Sequence, residues 1–243
     1  MWKELFSRWF RRKHRTQAQA QDDYTAFIRK VQNLKKTRLH RVPVPDTGRH
    51  DIPKGAVAEY ISYFDKLVCA RGKESIQCYY QDTQLGAQPF LVAPQKPVDK
   101  WNVVTLEWLS NNAARKYMFP KEDTPMAYFQ YLMFYNFGEQ FALYWHALYG
   151  IREIRLEYDV HSERVEWKWD EYGRPSTDVK KGKKKRQVFT PVVTMDENCC
   201  QVELVEELHI GIMQVKYQIL RKPPYTIDRE VVSILVKKPH LIY

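Results

Sequence analysis

The chain has 243 residues, of which 44% are hydrophobic and 14% aromatic, with only nine glycines. That supplies apolar material for one large or two small cores and excludes a low-complexity or glycine-rich fibrous protein. The net charge of +10 lies in two short segments on an otherwise balanced chain. Residues 1–15 (Lys3, Arg8, Arg11, Arg12, Lys13 and Arg15 against Glu4) and residues 178–187 (Lys180, Lys181, Lys183, Lys184, Lys185 and Arg186 against Asp178) are each net +5. A near-neutral body with two basic appendages is the pattern of segments that contact partners.

The first segment predicts an amphipathic helix. Trp2, Leu5, Phe6, Trp9 and Phe10 recur at helical spacing, and Arg8, Arg11, Arg12 and Arg15 lie largely on the other side. Bulky apolar residues opposite arginines suit an anionic membrane surface, where the cations meet headgroups and the rings enter the acyl boundary. The same face also suits docking on this protein's own body or in a protein partner's groove, and an Arg-rich transit peptide has a similar composition. No apolar core follows the basic start, so a secretory signal is not expected.

A polar stretch at residues 16–23 leads into a second helical stripe, Tyr24, Phe27, Ile28, Val31 and Leu34. The proline-containing connector at residues 40–55 then separates an N-terminal arm, residues 1–50, from a single domain, residues 51–243. Within it the spacing predicts a helix over Ala56–Ala70, a strand over Ser75–Gln81 and an extended piece over Pro89–Pro97. A further helix, capped by Asp99, is predicted to run towards Tyr117.

Thr124–Gly150 is the expected core helix. Thr124 is a good N-cap, Pro125 a good first helical residue and Gly150 a good terminator. Phe134, Phe137, Phe141, Trp145 and Leu148 form an apolar face, with Tyr128, Tyr135, Asn136, Glu139, Gln140 and His146 opposite. Its length allows a membrane span, but Gln130, Asn136, Glu139, Gln140 and His146 make one costly. Tyr128, Tyr135, Glu139 and His146 are the local candidates for acid–base chemistry. Glu139 and His146 lie two turns apart, about 10 Å along the axis, so a substrate or water would have to stand between them.

Beyond Gly150 the period changes to two. Ile154–Val160 and Val165–Trp169 predict a hairpin turning near His161 and Ser162. Gln187–Met195 predicts a third strand, and a turn at Asp196–Asn198 follows. The alternation then runs on from Cys200 to Ile219 with its parity slipping near Gly211–Met213, which predicts a bulge or bend. Pro223 and Pro224 end it, and Val231–Val236 is the last strand. Helices early and alternating strands late predict an α+β fold: N-terminal helices, then a long aromatic helix packed on a mainly antiparallel sheet of about five to six strands.

The loop at residues 171–186 carries Lys180, Lys181, Lys183, Lys184, Lys185 and Arg186, a cluster suited to polyanion contact such as nucleic-acid backbone. A solvated loop tip has the same composition. Phosphate-binding, dinucleotide and hydrolase motifs do not occur, and no His/Cys spacing resembles a zinc site, so neither cofactor nor metal is expected. Cys69, Cys78, Cys199 and Cys200 contain no C-x-x-C pair and are expected as free thiols in a reducing, cytoplasmic compartment. Together these features predict a non-enzymatic interaction or assembly protein at a membrane periphery or in a larger complex. A nucleic-acid-associated protein and a domain with a pocket between aromatic helix and sheet are the alternatives.

Overall fold

A computed structural model describes residues 21–33, 49–51, 54–73, 76–83, 86–100, 104–138, 152–161, 184–208 and 210–237. The fold is α+β with antiparallel sheets, as expected. The principal sheet has five strands. Its spine is the hairpin of β10 (Cys199–Leu208) and β11 (Gly211–Leu220), with β12 (Ile227–Lys237) outside β11. Two short strands, β6 (Glu153–Ile154) and β9 (Val192–Met195), share the other edge of β10 end to end.

Helix α4 (Pro125–Phe137) covers this sheet. Thr124 caps it as expected, its Oγ1 accepting the Ala127 N–H at 3.3 Å, and Pro125 stands in the first turn. Every residue from Ala127 to Phe134 is buried, so this part of the helix is enclosed all round rather than two-faced. β10 lies on one side, a small ribbon on another, and α1 (residues 21–33) and α2 (Lys54–Ser62) on the rest. The ribbon pairs β2 (Leu67–Cys69) with β5 (Met118–Pro120). The expected continuation of the helix to Gly150 lies outside the described residues, and among those residues no helix is long and apolar enough to cross a membrane.

Helix α1 packs into the same core. Tyr24, Phe27 and Ile28 are buried; the Tyr24 ring lies 4.8 Å from that of Phe129, and Phe27 meets Phe64 edge-on at 5.4 Å. Offset and edge-to-face rings of this kind add to the burial of their area.

Several local expectations are corrected. The helix expected over Ala56–Ala70 stops at Ser62. Buried Gln130 of α4 accepts the Lys66 N–H at 2.9 Å and donates to Asp65 at 2.9 Å, taking a backbone donor that a continuing helix needs. The helix expected from Asp99 begins later, as α3 (Leu106–Asn112), capped by Thr105, whose hydroxyl accepts the Trp108 N–H. It ends where Ala93 N–H takes the Asn112 carbonyl and Ala113 bridges to Val92.

Upstream of α3, β3 (Gln77–Thr83) and β4 (Gly86–Val92) form a hairpin with β1 (Arg49–Asp51) at its side. Pro89 is tolerated because, among the described residues, β4 is an edge of its sheet, where a missing N–H breaks no ladder.

The strand expected over Gln187–Met195 is two strands in different sheets. β8 (Lys184–Val188) pairs with β7 (Glu157–His161), and β9 pairs with β10. Pro191 lies between them, without an N–H to carry a ladder through. The strand expected over Val165–Trp169 lies outside the described residues. The run from Cys200 to Ile219, expected as one bent strand, is the β10–β11 hairpin. Gly211 sits at its turn with φ +152°, and a Cβ there would stand 2.2 Å from the Val236 carbonyl oxygen of β12. Only glycine fits both constraints.

Candidate functional site

Two polar constellations stand out among the described residues, one at the border of helix and sheet and one within the sheet. The first is built on the turn before α4. Tyr128, buried on the first turn of α4, donates its hydroxyl to Asp123 Oδ1 at 2.9 Å, with the Arg221 carbonyl 3.1 Å away. The Arg221 side chain, just past β11, grips both oxygens of Asp123 (Nε to Oδ1 at 3.0 Å) and also reaches the Asp196 carbonyl. Asp196 closes the β9–β10 turn by accepting the N–H groups of Asn198 and Cys199, each at 2.8 Å.

The electrostatics follow from these contacts. The Arg221 guanidinium holds the Asp123 carboxyl below its usual range. Burial, aided by the hydrogen bond to Asp123, pushes the Tyr128 phenol up to about 12. Burial likewise raises the Cys199 thiol and takes Cys200 to about 12. A phenol and thiols so shifted stay protonated near neutrality and are poor bases and nucleophiles there. The cluster is a clamp joining the start of α4 to two sheet turns.

The second constellation lies inside the sheet, and sequence reasoning missed it. Glu206 is fully buried at an inward position that continues the series Cys200, Val202, Leu204. Arg229 of β12 donates to its Oε2 from Nη2 at 2.9 Å and Nε at 3.3 Å. Tyr217 of β11 donates to Oε1. Burial, then Glu206, raises the Tyr217 phenol. Burial opposes the charge on Arg229, but the carboxylate outweighs it and the guanidinium is held more firmly protonated. The signal was in the alternation: a charged residue at an inward parity, with an arginine opposite Tyr217 at the same parity.

The four acid–base candidates do not come together among the described residues. Tyr128 is in the clamp. Tyr135 is 38% exposed, with the Arg115 guanidinium 5.7 Å from its ring. Glu139 and His146 lie outside the described residues. So do Trp2, Leu5, Phe6, Arg8, Trp9, Phe10, Arg11 and Arg12, as well as Lys180, Lys181 and Lys183. Lys184, Lys185 and Arg186 belong to strand β8 rather than to a loop, and Arg186 forms an ion pair with Glu157 of β7.

Among the described residues no cluster of His, Cys, Asp or Glu could hold a metal. A cleft of about 440 Å³ opens between α2 and β3, lined by Lys54, Val57, Ile61, Ile76 and Gln77, and its lining includes no residue of α4. Comparison with protein-family models, curated proteins and solved structures gave no match.

Proposed function

We propose that this chain is a non-enzymatic interaction or assembly protein: an α+β body attached to an anionic membrane surface, or to a larger complex at that surface, through its basic N-terminal segment. One observation supports the proposal above others. Helix α1 spends its apolar residues, Tyr24, Phe27 and Ile28, on the body's own core. The segment before it has a separate apolar stripe, Trp2, Leu5, Phe6, Trp9 and Phe10, opposite Arg8, Arg11 and Arg12. The anchored α1 ties that stripe to the body, and each cation near an anionic surface adds about 1 kcal/mol. The clamp and the Glu206 network are compatible with this reading, because both join elements of the fold rather than present a reactive group.

Cosedimentation with vesicles of anionic phospholipid tests the proposal. Deleting residues 1–15 should abolish binding, and raising the salt should weaken it; binding that survives the deletion rejects the N-terminal segment as the anchor, and a full chain that does not bind rejects the membrane role.

A second reading rests on the ribbon of β7 and β8, between whose strands lie residues 162–183 with Lys180, Lys181 and Lys183. If it contacts nucleic acid, affinity falls steeply with salt, and replacing Lys180, Lys181 and Lys183 by glutamine reduces that slope. A salt-independent affinity would exclude it.

A further inference from the structure

We infer that a basic corner of the body, where three turns distant in the sequence meet, binds the phosphodiester backbone of a nucleic acid. Residues 70–73 follow β2, residues 93–98 follow β4, and residues 113–117 join α3 to β5. Hydrogen bonds fasten these turns together. The Ala70 N–H donates to the Tyr117 carbonyl at 2.7 Å, and the Ala93 N–H donates to the Asn112 carbonyl, at the end of α3, at 2.8 Å. Lys73 Nζ donates to Asn112 Oδ1 at 3.2 Å. The far end of the second turn is pinned by Gln77, whose Oε1 accepts the Val98 N–H at 2.8 Å.

The three turns carry Arg71, Lys73, Lys96, Arg115 and Lys116 and no carboxylate. Glu74, next in the chain after the first turn, lies outside the described residues. Among the described residues none of these cations is in an ion pair, whereas Lys66, just before β2, holds Glu122 at 3.0 Å. Lys73 is half-buried and the others are exposed. Rings hold two of them in place. Lys73 Nζ stands 4.4 Å from the centre of the Tyr117 ring, and the Arg115 guanidinium 5.7 Å from that of Tyr135. Cations ordered beforehand lose less freedom on binding.

The chemistry of the corner selects the anion. Cations gathered from several turns answer a run of phosphates and release its counterions. The guanidinium forks of Arg71 and Arg115 match pairs of phosphate oxygens. Besides the cations, the exposed side chains of the three turns are Gln95 and Pro97, with Asn111 exposed beside them. No large apolar side chain of the turns therefore reaches past the charges, as a lipid-facing surface requires. The amides of Gln95 and Asn111 suit hydrogen bonds to sugar and base edges. The corner shares no residue with the N-terminal segment or with the β7–β8 ribbon, so it stands apart from both readings above.

Fluorescence anisotropy of a labelled single-stranded oligothymidylate, and of its duplex with oligoadenylate, tests the inference on the full chain, with circular dichroism to confirm folding. The wild type should bind. The triple variant Arg71→Gln, Arg115→Gln, Lys116→Gln should bind roughly tenfold or more weakly, and its salt slope on the single strand should fall by about 2. A control of equal charge at exposed positions elsewhere, Lys54→Gln, Lys222→Gln, Lys237→Gln, should keep near wild-type affinity. Cosedimentation of the corner variant with anionic phospholipid vesicles should match the wild type. A wild type that binds neither probe overturns the inference. So do two triple variants that weaken binding equally, because binding then follows net charge alone. A corner variant with unchanged oligonucleotide affinity overturns it as well, and if that variant loses vesicle binding the corner faces lipid instead.

Discussion

Arg229 of β12 reaches across β11 to Glu206 of β10, its Nη2 standing 2.9 Å from a carboxylate that is fully buried. The two residues tie three adjacent strands together on the inward face, with Tyr217 between them donating to the other carboxylate oxygen. A buried carboxylate is tolerated only while its charge is answered.

Removing one member of this pair should therefore cost more than removing both. Arg229→Ala is expected to destabilise the fold by about 3–5 kcal/mol, because it strands the charge of Glu206. The double variant Glu206→Leu, Arg229→Met should recover most of that loss, since a well-packed apolar replacement is often neutral or better. Urea denaturation of the three proteins decides. Equal costs for the single and double variants would mean that the ion pair is not what holds these strands.

Gly211→Ala should damage the sheet at its outer edge. The φ of +152° alone costs a residue with a side chain about 1–3 kcal/mol. The new methyl also meets the Val236 carbonyl oxygen, so the β11–β12 ladder must shift. A thermal melt should show a clear fall in Tm, and hydrogen exchange should quicken first in β12. An unchanged Tm would contradict the close approach of the two strands.

At the other end of the sheet, the clamp should make stability depend on acid. The Asp123 carboxyl is depressed, chiefly by its hydrogen bonds from Arg221. Its contribution is therefore present above the ordinary carboxylate pKa and lost as pH falls through the depressed one. Asp123→Asn should destabilise the protein at neutral pH and flatten its loss of stability at acid pH. Parallel acid-unfolding profiles for the two proteins would remove Asp123 from that role.

Alkali tests the tyrosines. Burial first, with smaller help from neighbouring groups, pushes Tyr24, Tyr128 and Tyr131 up to about 12. With folded values raised, their stabilising contribution is whole below the ordinary value of 10.0 and declines as pH climbs towards 12. Phenolate absorbance should rise in two stages, exposed tyrosines first and the buried set together with loss of helix signal. A single stage centred on the ordinary value would mean that α4 is not enclosed.

Thr124→Ala is expected to cost about 1 kcal/mol, because it leaves the Ala127 N–H without its cap. Chemical denaturation measures this, and Thr124→Asp should recover the loss.

The features legible in the sequence were local ones. Thr124 and Pro125 announce the start of α4 because a cap acts within one turn. The turn at Asp196–Asn198 was legible because an aspartate side chain closes it on neighbouring N–H groups. The alternation of Cys200, Val202 and Leu204 and of Val215, Tyr217 and Ile219 marked an antiparallel sheet with an inward face. The charge segments at residues 1–15 and 178–187 were likewise a matter of composition.

Where elements stop, and which strands are neighbours, depended on groups distant in the chain. Gln130 takes the Lys66 N–H across 64 residues, so α2 ends at Ser62 although its apolar spacing runs on. The parity slip near Gly211 was read as a bulge or bend, and the structure makes it a reversal. The fit of a glycine beneath Val236, 25 residues on, goes with the reversal. Arg186 looked like part of a free lysine-rich loop until β8 was laid beside the acidic β7. Glu206 drew no reading from the sequence, because Tyr217 and Arg229 are brought to it from two other strands. A one-dimensional pattern records the period of a face. It does not record what lies against that face, and that contact decides whether a charge is solvated, paired or buried.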